Sequence, residues 1–151
     1  MSALRVSLTR LSPKRHRFEA LRADGSRVTL DLETHSCLLH DLVHFALESE
    51  AGLNGGFYGA LACSGAYEDM NVGDGERRAV ERVVGPLQGA LKAEIDAEAF
   101  VARFRAVQES IGANAPAWLT PDLIARTLAR LRQLQGQWRA TPFGETMELL
   151  F

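Results

Sequence analysis

His40 and His44 flank Asp41 in the run His40-Asp41-Leu42-Val43-His44. Histidines four residues apart lie one turn above each other on an α-helix, so both imidazoles can aim a nitrogen at one point. That geometry suits a divalent metal such as zinc, and the carboxylate beside the first histidine is chemically able to take a proton from water held by the ion. His40 and His44 are therefore candidate metal ligands, and Asp41 is the candidate catalytic base.

Two histidines do not complete a metal site. Successive helical residues turn by about 100°, which gathers Cys37, His40, His44 and Glu48 within one quadrant and sets Leu38, Leu39, Leu42, Phe45 and Ala46 opposite. Glu48 lies about 12 Å along the axis from His40, too far to share its ion, and is better placed to hold His44 from behind. A third ligand must come from elsewhere in the chain. Glu68 is the first candidate, followed by Asp69, Asp74 and Glu76.

Gly52, Gly55, Gly56 and Gly59 frame Phe57-Tyr58 directly after this segment. They lack the lysine and hydroxyl of a phosphate-binding loop, so a helix stop, a tight turn and close backbone contact are the roles expected of them. A buried Tyr58 would need a partner for its hydroxyl, and the histidine face is the nearest in sequence. The same polar groups also read as the solvated face of an ordinary core helix. In that case the chain is a noncatalytic module for protein interaction or self-association. His35 adds to the local histidine density, and His16 lies on a strand from which it could approach the pair.

The run His40-Asp41-Leu42-Val43-His44-Phe45, with Glu48, Gly52-Leu53 and Gly56-Phe57-Tyr58-Gly59, resembles a family of small bacterial proteins with no assigned function. The resemblance covers about a quarter of the chain; it implies a shared fold and brings no activity. Residues 40–44 are also similar to the His-Glu-x-x-His segment of metalloproteases, departing at Asp41, whose shorter arm sets its carboxylate further from a metal-bound water. That likeness implies ligand roles for His40 and His44 only.

The elements that must position these groups divide into strands at both ends and helices between them. Leu4, Val6 and Leu8 alternate with Arg5, Ser7 and Thr9, the period of a half-buried strand. Strands over 16–22 and 27–33 flank Ala23-Asp24-Gly25-Ser26, where Asp-Gly suits a tight hairpin. Ser36 is the expected cap of a helix reaching about Glu50, with Gly52 ending it in the left-handed conformation. A short buried helix is expected over 57–64, and a longer one over 75–95, kinked or divided at Pro86. Asp96 opens the next helix and Gly112 ends it, while Thr120-Pro121 is cap plus first-turn proline of a helix to about Arg139. In the tail Met147, Leu149 and Phe151 alternate, and this strand has no hairpin partner nearby. Its backbone groups need partners, so it is expected to return to the amino-terminal meander. The fold class is α+β, a small antiparallel sheet with about four helices packed on one face.

With 151 residues, 46% of them apolar, the chain reads as one domain spanning 1–151 with enough material for a substantial core. The formal net charge of −2 gives no global electrostatic case for nucleic acid or an anionic membrane. Basic groups at Lys14, Arg15 and Arg17, and at Arg126, Arg130 and Arg139, read as solvated faces. Two cysteines are too few for a disulfide framework, no apolar run marks a secretion signal, and none is long enough to span a membrane. A reduced, cytoplasmic protein is expected, with a homo-oligomer or protein partner favoured by aromatic residues such as Trp118 and Trp138.

Overall fold

The computed structural model describes residues 3–63, 67 and 75–151. In chain order the elements are β1 (Arg5–Arg10), β2 (Arg15–Leu21), β3 (Arg27–Glu33), α1 (Thr34–Ala51), α2 (Phe57–Cys63), α3 (Gly75–Lys92), α4 (Ala97–Ser110), α5 (Pro121–Ala140) and β4 (Thr146–Leu150). The architecture is α+β, with five helices among the described residues rather than about four.

The four strands form one antiparallel sheet in the order β3-β2-β1-β4. Its period-2 pattern sets inward rows across the strands: Met147, Leu8, Phe18 and Leu30 are register partners, as are Leu149, Val6, Ala20 and Val28. The opposite face is wet. It carries the cross-strand pairs Arg17–Asp31 and Arg27–Glu19 and the Thr9–Thr146 hydroxyl contact. A sheet apolar on one face only must be covered on that face, and the helices cover it. The tail finds its partner in β1, and Phe151 and Leu4 exchange backbone hydrogen bonds of 2.8 and 3.1 Å beyond it.

α1 is the hub of the helical layer and packs against α5, α3 and α2. It starts earlier than Ser36, because the Thr34 amide donates to the Lys14 carbonyl (2.8 Å) and the chain passes from β3 into the helix without a loop. Ser36 instead directs its hydroxyl to Glu33 Oε1, and the cap residue Glu33 makes no side-chain capping bond. At the other end Gly52 takes φ 66°, a conformation that costs glycine little, as the spacing required. Residues 41–48 of α1 are all buried, polar ones included, so its second half is enclosed on every side.

α3 runs on through Pro86 as a single helix. Glu94 then turns left-handed (φ 55°), and the Ile95 amide reaches back to the Ala90 carbonyl. α4 and α5 begin where their caps require: Asp96 accepts from the Ala99 amide and Thr120 from the Leu123 amide, with Pro121 in the first turn. Trp138 is buried in the core against the sheet rather than displayed for a partner, and Trp118 is packed against the same core. No helix among the described residues is long and apolar enough to cross a membrane.

Candidate metal centre

α1 and α3 bring three potential ligands together. One donor atom from each of His40, His44 and Glu81 lies within 4.8 Å of the others. The helical spacing brings the two imidazoles edge-on to one another with centroids 4.7 Å apart, and packing of α1 against α3 delivers the carboxylate. Glu81 Oε1 is 2.9 Å from His44 Nε2, and Glu81 Oε2 is 3.9 Å from His40 Nε2.

The other nitrogen of each ring faces a carboxylate on its own helix. His44 Nδ1 meets Glu48 Oε2 at 2.9 Å, and His40 Nδ1 lies 3.5 Å from Asp41 Oδ1. The His44 ring is thus held from behind by a hydrogen bond at Nδ1, the His40 ring has a carboxylate 3.5 Å behind its Nδ1, and both turn Nε2 toward Glu81. Metal-binding histidines are commonly oriented in this way, by a carboxylate that fixes the tautomer and raises the basicity of the ligand nitrogen.

Those rear carboxylates are themselves fastened. Glu48, fully buried, accepts the Tyr58 amide through Oε1 (2.9 Å), and it can occupy that place because residue 56 is glycine. A Cβ at Gly56 would collide with the Glu48 carboxyl group. Asp41, also buried, accepts the Tyr67 hydroxyl with both oxygens (2.9 and 3.2 Å). The Tyr58 hydroxyl donates to the Asp41 carbonyl at 2.8 Å, so one tyrosine ties two turns of α1 to the start of α2. Burial, with Asp41 and Glu48 nearby, lifts the Tyr58 pKa well above its ordinary value and keeps that donor protonated.

The His44–Glu81 approach is close but misaligned. Among the described residues neither His44 Nε2 nor Glu81 Oε1 makes a hydrogen bond with proper geometry, although both atoms are shielded from solvent. Two buried polar atoms 2.9 Å apart that do not point at one another are arranged like ligands converging on a common point.

Without a metal, protons balance this cluster. Asp41 and Glu81 push the His40 pKa up to about 9. Burial opposes charge on His44, but Glu48 and Glu81 outweigh it and its pKa is also raised. Facing His40 and His44, the Glu81 carboxyl falls to about 2. Opposite charges placed within hydrogen-bond reach favour the charged forms on both sides.

The cluster therefore contains His40, His44, Asp41, Glu48 and the Tyr58 that anchors it. Glu68, Asp69 and Asp74 lie outside the described residues. Glu76 accepts the Gly55 amide (2.6 Å) and so secures the glycine turn. His35 is exposed. His16 is buried, bonded through Nδ1 to the Thr34 hydroxyl (3.0 Å) and edge-on to Trp138; burial lowers its pKa despite the nearby Asp41. The solvated-face alternative does not describe His44 or Glu48, whose side chains are 1% and 0% exposed.

Glu81 was not singled out by the spacing argument. Its signal was present in Val80-Glu81-Arg82-Val83-Val84, a carboxylate at the border of the stripe that α3 buries. An acid about 100° from the centre of an apolar stripe can reach under the neighbouring helix. Set against known proteins, the chain matches no family model, no curated protein and no solved structure.

Proposed function

We propose that His40, His44 and Glu81 bind one divalent cation, for which zinc is the best match to two imidazoles and a carboxylate. The observation that carries this reading is the paired arrangement of the rings: each has a carboxylate at Nδ1 and turns Nε2 toward Glu81. Such pre-orientation is what a metal site needs and what a solvated helix face has no cause to build.

Three protein ligands leave a tetrahedral ion one open position, as in catalytic rather than structural zinc sites. Hydrolysis of a polarised bond by water is accordingly the reaction class this centre suits. In that role His40 and His44 hold the ion, Glu81 neutralises part of its charge, and Glu48 and Asp41 orient the rings. Asp41 acts from behind His40, since its carboxylate is buried and occupied by Tyr67. The polar groups of α1 would then serve a single centre instead of a protein interface.

Metal analysis of protein purified without an affinity tag tests the reading, together with melting in added zinc. At a free zinc concentration one hundred times Kd the native state gains about 2.7 kcal/mol, a rise of roughly 5–10 °C for a chain of this size. The His40→Ala, His44→Ala double variant should lose both the bound metal and the rise. Parent protein with only trace metal and no zinc-dependent shift would overturn the proposal.

A further inference from the structure

A second concave site lies on a different face of α3 from the one that meets the histidines. α3 packs on α1 and α4 on α5, and between α3 and α4 the surface opens into a groove of about 630 Å³. That volume falls within the range of small-molecule sites. The floor is apolar: Ala90, Phe100 and Phe104 are buried at its base, with Phe100 and Phe104 stacked one turn apart. Val107 and Ile111 extend the same stripe and are 52% and 69% exposed. From Phe100 to Ile111 the stripe runs about 16 Å along α4.

The charges around this groove have one sign. Arg82 on α3 and Arg103 on α4 both line it, and no aspartate or glutamate does. Among the described residues neither arginine has an ion pair or hydrogen bond, in contrast to Arg17, Arg27 and Arg126, which all face carboxylates. Gln108, only 7% exposed, also lines the groove, and its side-chain amide has no hydrogen-bond partner among the described residues. An apolar trough with unpaired cations and a polar amide, and no acid, is complementary to a molecule with a hydrocarbon tail and an anionic head. A second copy of the chain fits poorly. A two-fold contact through this face would set arginines against arginines with nothing to neutralise them.

We propose that the groove between α3 and α4 binds a single-chain fatty carboxylate. Its tail lies on Phe100, Phe104, Val107 and Ile111, and its carboxylate is held by Arg82 and Arg103. The site is separate from the histidine cluster: Glu81 and Arg82 are neighbours in sequence, but the turn of about 100° between them sends their side chains to different faces of α3.

Calorimetric titration with octanoate, decanoate and dodecanoate, each below its micelle concentration, tests this. Decyltrimethylammonium serves as the control of equal tail and opposite head. Affinity should rise about threefold to fourfold per methylene while the tail remains on the stripe. Decanoate should bind at least tenfold more tightly than the cationic control. The exposed double substitution Arg82→Gln, Arg103→Gln should remove that preference without disturbing the fold. Val107→Glu, Ile111→Glu should abolish decanoate binding, again at exposed positions. No saturable binding, equal affinity for the two head groups, or decanoate affinity unchanged by the arginine substitutions would each overturn the proposal; so would an acidic protein segment being the only ligand of this face.

Discussion

Gly56→Ala adds one methyl group and should damage both the fold and the metal centre. The new Cβ would meet the Glu48 carboxyl group, which has nowhere to retreat because it is fully buried between His44 Nδ1 and the Tyr58 amide. Relief requires Glu48 to leave one of those partners. Losing the charge-assisted bond to the Tyr58 amide strands a buried donor and costs about 1.5–3 kcal/mol. Displacement of α2 instead would loosen the contacts of Phe57 and Tyr58 with the core, at a similar cost. The substitution should therefore destabilise the chain by about 2–4 kcal/mol, roughly 5–15 °C in Tm. Because the same displacement disturbs the Glu48 contact that orients the His44 ring, zinc affinity should also fall about 10–100-fold. Gly52→Ala is the control: at φ 66° it pays only the left-handed backbone penalty of about 1 kcal/mol and leaves Glu48 in place. Urea denaturation and zinc titration against a competing chelator read the two effects. A Gly56→Ala protein with parental stability and parental zinc affinity would refute the reasoning.

Three further outcomes follow from the same contacts. In metal-free protein His40 has a folded pKa of about 9, above its unfolded 6.5, so its contribution is complete below pH 6.5 and lost as pH rises through 9. Glu81, at about 2 against 4.5, contributes above pH 4.5 and loses that contribution as pH falls through 2. Melting temperature against pH should show the alkaline decline in the parent and a smaller one in His40→Gln. Since His40 titrates near 9 and the His44 pKa is also raised, zinc binding should release at least one proton near pH 7, seen as a dependence of the calorimetric enthalpy on the ionisation enthalpy of the buffer, and affinity should rise with pH. Release of no proton would contradict the assignment of His40 as a ligand. Finally, the Arg10 guanidinium donates to the Trp138, Arg139 and Thr141 carbonyls at the end of α5 and lies over the Phe143 ring. Arg10→Ala should cost about 1–3 kcal/mol in denaturant unfolding and leave zinc affinity unchanged.

The strands and the later helices were legible because their signals are local. Asp24-Gly25 fixes the β2–β3 hairpin, and Thr120-Pro121 fixes the start of α5. β4 was placed on the amino-terminal sheet by the need of its backbone for partners, and it pairs with β1. The start of α1 was misplaced because tertiary contact with Lys14, rather than a side-chain cap, begins the helix. The polar residues of α1 were harder to read. Periodicity separates His40, His44 and Glu48 from the leucines, yet it does not reveal that a second helix closes over them, and α3 does so while supplying Glu81. Which carboxylate crosses to a histidine pair is decided by packing between elements distant in sequence. No short motif carries that information.

X-ray absorption spectroscopy of the zinc-loaded protein tests the central claim most directly. The expected spectrum has four nitrogen or oxygen neighbours at about 2.0–2.1 Å, with the outer scattering of two imidazoles and no sulfur shell, and one imidazole fewer in His44→Ala. A sulfur neighbour near 2.3 Å, which would implicate Cys37 or Cys63, or a spectrum without paired imidazoles, would contradict it.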